Sequence, residues 1–278
     1  MIAPLSEQKE EFTVTTLAAK LTLVSCLLLT SASANAQELL QCPARTFLGE
    51  TSTSISFDPS QWPLKGWLIQ SPNPRALHLS RDPTDADNSV VRFELRQGET
   101  LQTRTVNRPR AELYEQYRAP FHRPIEYQFR VFIPKEWHND NVRALIAQWH
   151  ATPDLHLNEV SRSPNLALDM RGDQLLVKLQ TSSVAVHHDN RTAMVHDVLY
   201  RSDPIKKNQW YQFKVQVNWS WSADGYVKLW IQNKQVVDYV GPTAYQDCYG
   251  PYFKMGIYRQ DSPNTFVMYA DDYQRKLL

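Results

Sequence analysis

Tyr252-Phe253-Lys254-Met255-Gly256-Ile257-Tyr258-Arg259-Gln260, near the C-terminus, is the stretch whose reading decides the rest. Side chains of a strand alternate between its two faces. One face here carries Phe253, Met255, Ile257 and Arg259, a mostly apolar set suited to a core. The other carries Tyr252, Lys254, Tyr258 and Gln260 around a gap at Gly256. Such a face can line a groove that holds a polar chain. An aromatic-rich strand with a wet outer side explains the segment equally well, and taken alone it favours that plainer account.

The same period of two runs through the chain. Val91, Phe93 and Leu95 alternate with Arg92, Glu94 and Arg96. Tyr127, Phe129, Val131 and Ile133 form a core-facing set closed by Pro134. Leu145, Ala147 and Trp149 point one way, and Ile146, Gln148 and His150 the other. Leu166-Leu168-Met170 turns at Arg171-Gly172-Asp173 into Leu175-Val177-Leu179. Trp210 to Trp219 reaches Asp224-Gly225 and returns as Val227-Leu229-Ile231. Ser182 to Lys207 is polar and His-rich, and reads as a long loop over one face. Helical periodicity is absent after the leader. Many short strands with turn signals predict an all-β fold, a β-jelly roll or concanavalin A-like sandwich with a concave groove.

The chain has 278 residues and a formal net charge of +1. Lys20, an apolar run from Leu21 to Thr30 and the ending Ala34-Asn35-Ala36 read as a signal peptide over 1–36. Residues 37–278 then form a single domain, secreted or periplasmic. The lipobox-like Leu23-Val24-Ser25-Cys26 ranks second, as a lipid anchor. Cleavage after Ala36 leaves Cys42 and Cys248, which in an exported chain suit one disulfide. A charge near zero gives no global steering toward nucleic acid or, once the leader is gone, toward membranes. A monomer is expected.

Three strands present chargeable faces. Arg108, Arg110 and Glu112 form the first, Gln148 and His150 the second, and Lys254, Tyr258 and Gln260 the third. Each member has an ordinary explanation: a cross-strand ion pair, a satisfied buried amide, a histidine ending its strand in water. Together they supply what β-elimination in a uronic-acid polysaccharide requires. Arg110 and Gln148 can neutralise the carboxylate and the enolate-like intermediate. His150 and Tyr258 are the pair able to take the C5 proton and protonate the leaving O4, with the order between them open. Arg110 or Lys254 can assist a phenolate at Tyr258.

Arg110-Ala111-Glu112-Leu113, Gln148-Trp149-His150 and Tyr252 to Gln260 resemble, in the same order, the signature strands of the jelly-roll alginate lyases of polysaccharide lyase family 7. Arg92-Phe93-Glu94-Leu95-Arg96, Phe132-Ile133-Pro134 before Trp137, and Ala147-Gln148-Trp149-His150 are similar to the heparin lyase I and glucuronan lyase relatives. The resemblance implies a concave-sheet active site with Arg110, Gln148, His150 and Tyr258 catalytic. Arg108, Glu112, Lys178, Lys254 and Gln260 become the expected substrate contacts, and Gly256 would leave room for the sugar ring. Tyr114 stands where an arginine often closes the first motif, which reduces charge on that side. No cofactor is expected. Some relatives carry calcium, so a structural calcium is compatible, but no acidic cluster with a dedicated spacing announces a site, and no metal ligands are assigned.

Two other classes compete. A non-catalytic carbohydrate-binding module on the same sandwich needs the basic and aromatic face but no acid–base pair. A glycoside hydrolase needs two carboxylates flanking one bond, for which Glu112 and Glu115 are a poor match. The expected partner is an anionic polysaccharide, glucuronan or alginate before a heparin-like glycosaminoglycan. That order rests on the Tyr258-Arg259-Gln260 ending and the modest charge.

Overall fold

Period-two alternation becomes fifteen strands in a computed structural model that describes residues 42–44, 52–102 and 107–278. The leader expected over 1–36 lies outside these residues. Residues 45–278 make one compact unit that holds every described strand. Of the unit before it, only 42–44 are described, and they have no regular structure. Cys42 and Cys248 are disulfide-bonded, as the cysteine count predicts. Among the described residues no helix is long and apolar enough to cross a membrane.

All the strand pairs are antiparallel and fall into two sheets. The first runs β13 (Lys234–Val240), β12 (Tyr226–Ile231), β11 (Gln209–Asn218), β6 (Ile125–Ile133), β15 (Phe266–Leu277), β4 (Ser89–Leu95) and β3 (Leu77–Arg81). β1 (Thr53–Ile55) also pairs with β15. The second runs β10 (Met194–Arg201), β9 (Gln174–Ser182), β8 (Leu166–Arg171), β7 (Ala144–Thr152), β14 (Tyr249–Arg259), β5 (Arg110–Glu115) and β2 (Trp67–Gln70). This is a jelly-roll sandwich.

The inward sets read from the sequence fill the space between the sheets. Phe253 of β14 is fully buried against Tyr127, Phe129 and Tyr273 from the facing sheet, at ring separations of 5.8, 5.2 and 5.1 Å. Burying such a ring is worth about 2–3 kcal/mol in removed apolar surface. With its inward side committed to packing, β14 must present Tyr252, Lys254 and Tyr258 on the opposite, outer side.

Three local expectations change. The stretch from Ser182 to Lys207 contains β10, an edge strand paired with β9. Val195, His196, Asp197 and Val198 are all exposed there, so no buried face imposed an alternating pattern. In β7 the register against β8 slips between Leu145 and Ala147. Ile146 occupies the resulting bulge and joins the core instead of sharing a face with Gln148. The same slip appears against β14, where Tyr258 pairs with Leu145.

Gly256 is the third. Its φ is +128°, and a Cβ there would lie 2.3 Å from the Ala111 carbonyl oxygen and 2.8 Å from the Phe93 ring. Glycine is required by close backbone approach and by the facing sheet, not to make room for a sugar.

Candidate active site

β14 lies between β5 and β7, and that adjacency brings the three polar faces together. Across β5, Tyr258 pairs with Arg110 and Gly256 with Glu112. Across β7, Lys254 pairs with Gln148 and Tyr252 with His150. Directly opposed residues share a face. Arg110, Gln148, His150 and Tyr258 therefore stand on one outer face, as the motifs predicted.

A buried ionic pair lies at the centre of this face. Glu112 and Lys254 are each 1% exposed, with the Lys254 Nζ donating to Glu112 Oε2 at 2.5 Å. Gln148 Nε2 donates to the other carboxylate oxygen. Arg110 Nε stands 3.5 Å from Glu112, and its Nη1 donates to Gln70 at 3.1 Å. Burial opposes the charge on Glu112, but Lys254 and Arg110, with the hydrogen bonds from Lys254 and Gln148, outweigh it. The carboxyl stays below its ordinary range. Glu112 and Lys254 were expected among the substrate contacts; sealed against each other, they instead position Arg110 and Gln148. Gln148 is itself fully buried, with one amide N–H used by Glu112 and its Oε1 left without a partner.

His150 is half-buried, with Nδ1 2.8 Å from the Ala151 carbonyl oxygen. An imidazole nitrogen facing a carbonyl carries the proton, which leaves Nε2 with its lone pair. Burial, reinforced by the Lys254 charge and then by Arg110, pushes the pKa of His150 down to about 4. The ring is neutral at ordinary pH. It stacks on Tyr252 at 5.3 Å. Tyr258 is met from both sides: the guanidinium carbon of Arg110 on β5 lies 4.4 Å from its ring centre and that of Arg143, just before β7, lies 4.9 Å away.

The remaining expected contacts scatter. Arg108 is exposed ahead of β5, its backbone bridged to Leu101. Lys178 shares the outer face, but β8 and β7 separate it from β14 and its ammonium serves the buried Asp169. Gln260 lies just past β14 and accepts the Arg143 backbone N–H at 3.0 Å through its side-chain oxygen. Glu115 faces the core, where it accepts from Tyr273 and Arg275. Glu112 and Glu115 thus lie on opposite sides of β5, and a glycosidase-like pair is not formed.

Arg118 and Arg143 were not found from the sequence, because both sit in connections where no periodicity marks them. Arg118 donates to the Tyr114 hydroxyl at 2.5 Å and lies 4.0 Å over the Tyr252 ring. The charge that Tyr114 withholds from the first motif is supplied from the segment after β5.

Two clusters among the described residues hold three side chains able to bind a metal. Asp154, His156 and Cys248 form one, but Cys248 is in a disulfide. Asp154, Glu159 and Asp247 form the other, where Arg162 already bridges Glu159 and Asp247. Its cation is a guanidinium, and neither group fits the calcium left open above.

A family model described as Polysaccharide lyase matches residues 56–274. No curated protein matches the chain. Among solved structures, the endo-β-1,4-glucuronan lyase of the fungus Trichoderma reesei superposes with a TM-score of 0.64 at 14% identity, covering 81% of this chain and 95% of that one. An alginate lyase belonging to polysaccharide lyase family-7 gives 0.56 at 15% identity, over 76% and 94% of the two chains. The marine PL-14 alginate lyase from Aplysia kurodai gives 0.54 at 13%, over 83% and 100%. These similarities are ones of fold.

Proposed function

Because the chain belongs to the polysaccharide lyase family, we propose that it cleaves a polyuronate by β-elimination on the outer face of the seven-stranded sheet. One observation carries the reading. A neutral imidazole, a phenol and a guanidinium converge on three adjacent strands around a carboxamide held by a buried ion pair.

Arg110 takes the substrate carboxylate, backed by the buried Gln148 amide beneath it, which makes the C5 proton acidic and receives charge as the enolate-like intermediate forms. His150 Nε2 accepts that proton. Its low pKa keeps the base unprotonated, and the arriving carboxylate offsets the Lys254 and Arg110 charges that hold it down. The C5–H electrons form the C4=C5 double bond as the C4–O4 bond breaks. The Tyr258 hydroxyl protonates the departing O4, and the Arg110 guanidinium at its ring stabilises the phenolate left behind.

The preferred substrate is an unsulfated polyuronate such as glucuronan or alginate, before a heparin-like glycosaminoglycan. The same reading has the chain exported through the leader over 1–36, secreted or periplasmic, monomeric and free of any cofactor requirement. An ultraviolet assay across polyuronates and glycosaminoglycans tests it. Absorbance from a 4,5-unsaturated uronide is expected with at least one polyuronate; none with any polymer overturns the reading.

A further inference from the structure

Arg143 precedes β7 and reaches the site from the side opposite Arg110. Among the described residues it is the one arginine that is not exposed and yet has no hydrogen-bond or ion-pair acceptor for its guanidinium. Its Nε is buried and without a partner. The other half-buried or buried arginines are all occupied. Arg75 and Arg92 serve Glu94, Arg130 serves Asp271, Arg162 serves Glu159, and Arg259 serves backbone carbonyls. Arg143 is half-buried, and withdrawing part of a guanidinium from water without any acceptor is costly, a cost tolerated where a ligand completes it.

Its placement is held from outside the side chain. The Arg143 N–H donates to the side-chain oxygen of Gln260 at 3.0 Å, and the Gln260 N–H donates to the Arg143 carbonyl at 2.9 Å. These two bonds fix the backbone at the start of β7, and the guanidinium lies 4.9 Å from the Tyr258 ring centre. Tyr258 thus has Arg110 on its β5 side and Arg143 on its β7 side. Arg110 is already committed to Glu112 and Gln70 in part, whereas neither terminal nitrogen of Arg143 has an acceptor in the protein, which leaves that pair for a planar, bidentate carboxylate.

We infer that Arg143 binds the carboxylate of the uronate next to the one that reacts, with Gln260 as its positioning residue, so that the enzyme selects chains with uronates at successive positions. This rests on the polyuronate reading above and narrows it. A glycosaminoglycan, in which uronate alternates with hexosamine, offers no second carboxylate at the adjoining sugar. A homopolyuronate offers one at every sugar.

The test compares wild type with Arg143→Met, which keeps an apolar stem over Tyr258, and with Arg143→Lys. On a homopolyuronate, Arg143→Met is expected to raise KM about 10-fold and lower kcat less than about 3-fold, the pattern of lost uniform binding. Arg143→Lys recovers part of the KM. On a polymer with half its carboxylates reduced to alcohols, wild type is expected to approach the variant. Binding of the intact homopolyuronate is then measured by affinity electrophoresis with Tyr258→Phe alone and combined with Arg143→Met, which needs no turnover. About 10-fold weaker binding in the double variant is expected. Equal KM values and equal binding overturn the role of Arg143, as does a loss confined to kcat. Absence of turnover by wild type on every polymer overturns the lyase reading instead, and the binding comparison still decides Arg143.

Discussion

Tyr252 and Tyr258 lie on the same face of β14, each with a guanidinium at its ring, yet their surroundings differ. At Tyr252 the cation is Arg118, whose N–H groups go to the Tyr114 hydroxyl and the Gln116 carbonyl. Tyr114 and His150 pack against the same ring, at 4.5 and 5.3 Å. Burial is the main influence on this phenol, and it pushes the pKa above the ordinary tyrosine range. At Tyr258 the cations are Arg110 and Arg143, one from each side, and Arg143 has no acceptor in the protein. A cation over a ring therefore does not make a phenol reactive. What matters is whether that cation is already employed. Tyr252 is a platform that covers His150, and Tyr258 stands where negative charge can be received.

Removing the two hydroxyls separately is the hardest test of that contrast. Tyr258→Phe is expected to lower turnover on the order of 1,000-fold while polymer binding persists, the scale of a lost general acid. Tyr252→Phe keeps the platform and should cost less than about 3-fold, a factor well below that of a lost acid–base group. Initial rates and binding measured on the same preparations check both. Similar losses in the two variants would erase the distinction.

The next largest effect is on stability. Lys254→Met leaves the Glu112 carboxylate buried without its cation and should destabilise the fold by about 3–5 kcal/mol. Adding Glu112→Gln removes the stranded charge and should restore much of the loss. Urea denaturation of the single and double variants reads this directly. A single variant as stable as wild type would mean that the pair does not support the site.

The smallest effect is on pH dependence. The folded pKa of His150, about 4, lies below its ordinary value, with burial as the first cause. The neutral ring then contributes stability that is fully present above about 6.5 and lost as pH falls through about 4. The acid limb of kcat/KM that belongs to His150 should likewise lie near 4. Tyr252→Ala uncovers the ring and should move that limb upward, toward 6.5. A limb already near 6.5 in wild type would contradict the covering role.

Much of this site was legible as alternation. Arg110 with Glu112, and Lys254 with Tyr258, keep the period of two and land on the face they announced. Strand adjacency was not legible, because nothing in a strand names its neighbour; β14 meets β5 and β7 from far along the chain. Ile146 misled because a bulge adds a residue without a sequence mark in an apolar run. Lys254 read as a substrate contact because burial of a charge depends on a partner, Glu112, on another strand. Arg143 and Arg118 left no trace at all, since connections carry no period. The β10 edge strand was hidden for the same reason: without a buried face there is no pattern to read.

The central claim is that bonds are broken by elimination, and the masses of the fragments released from a homopolyuronate test it most directly. Each cut by elimination leaves a new non-reducing end lacking the elements of one water relative to the hydrolysis product. The account predicts that deficit on every such end with wild type, and almost no fragments with Tyr258→Phe. Fragments carrying the full complement of water, or undiminished cleavage by Tyr258→Phe, would contradict it.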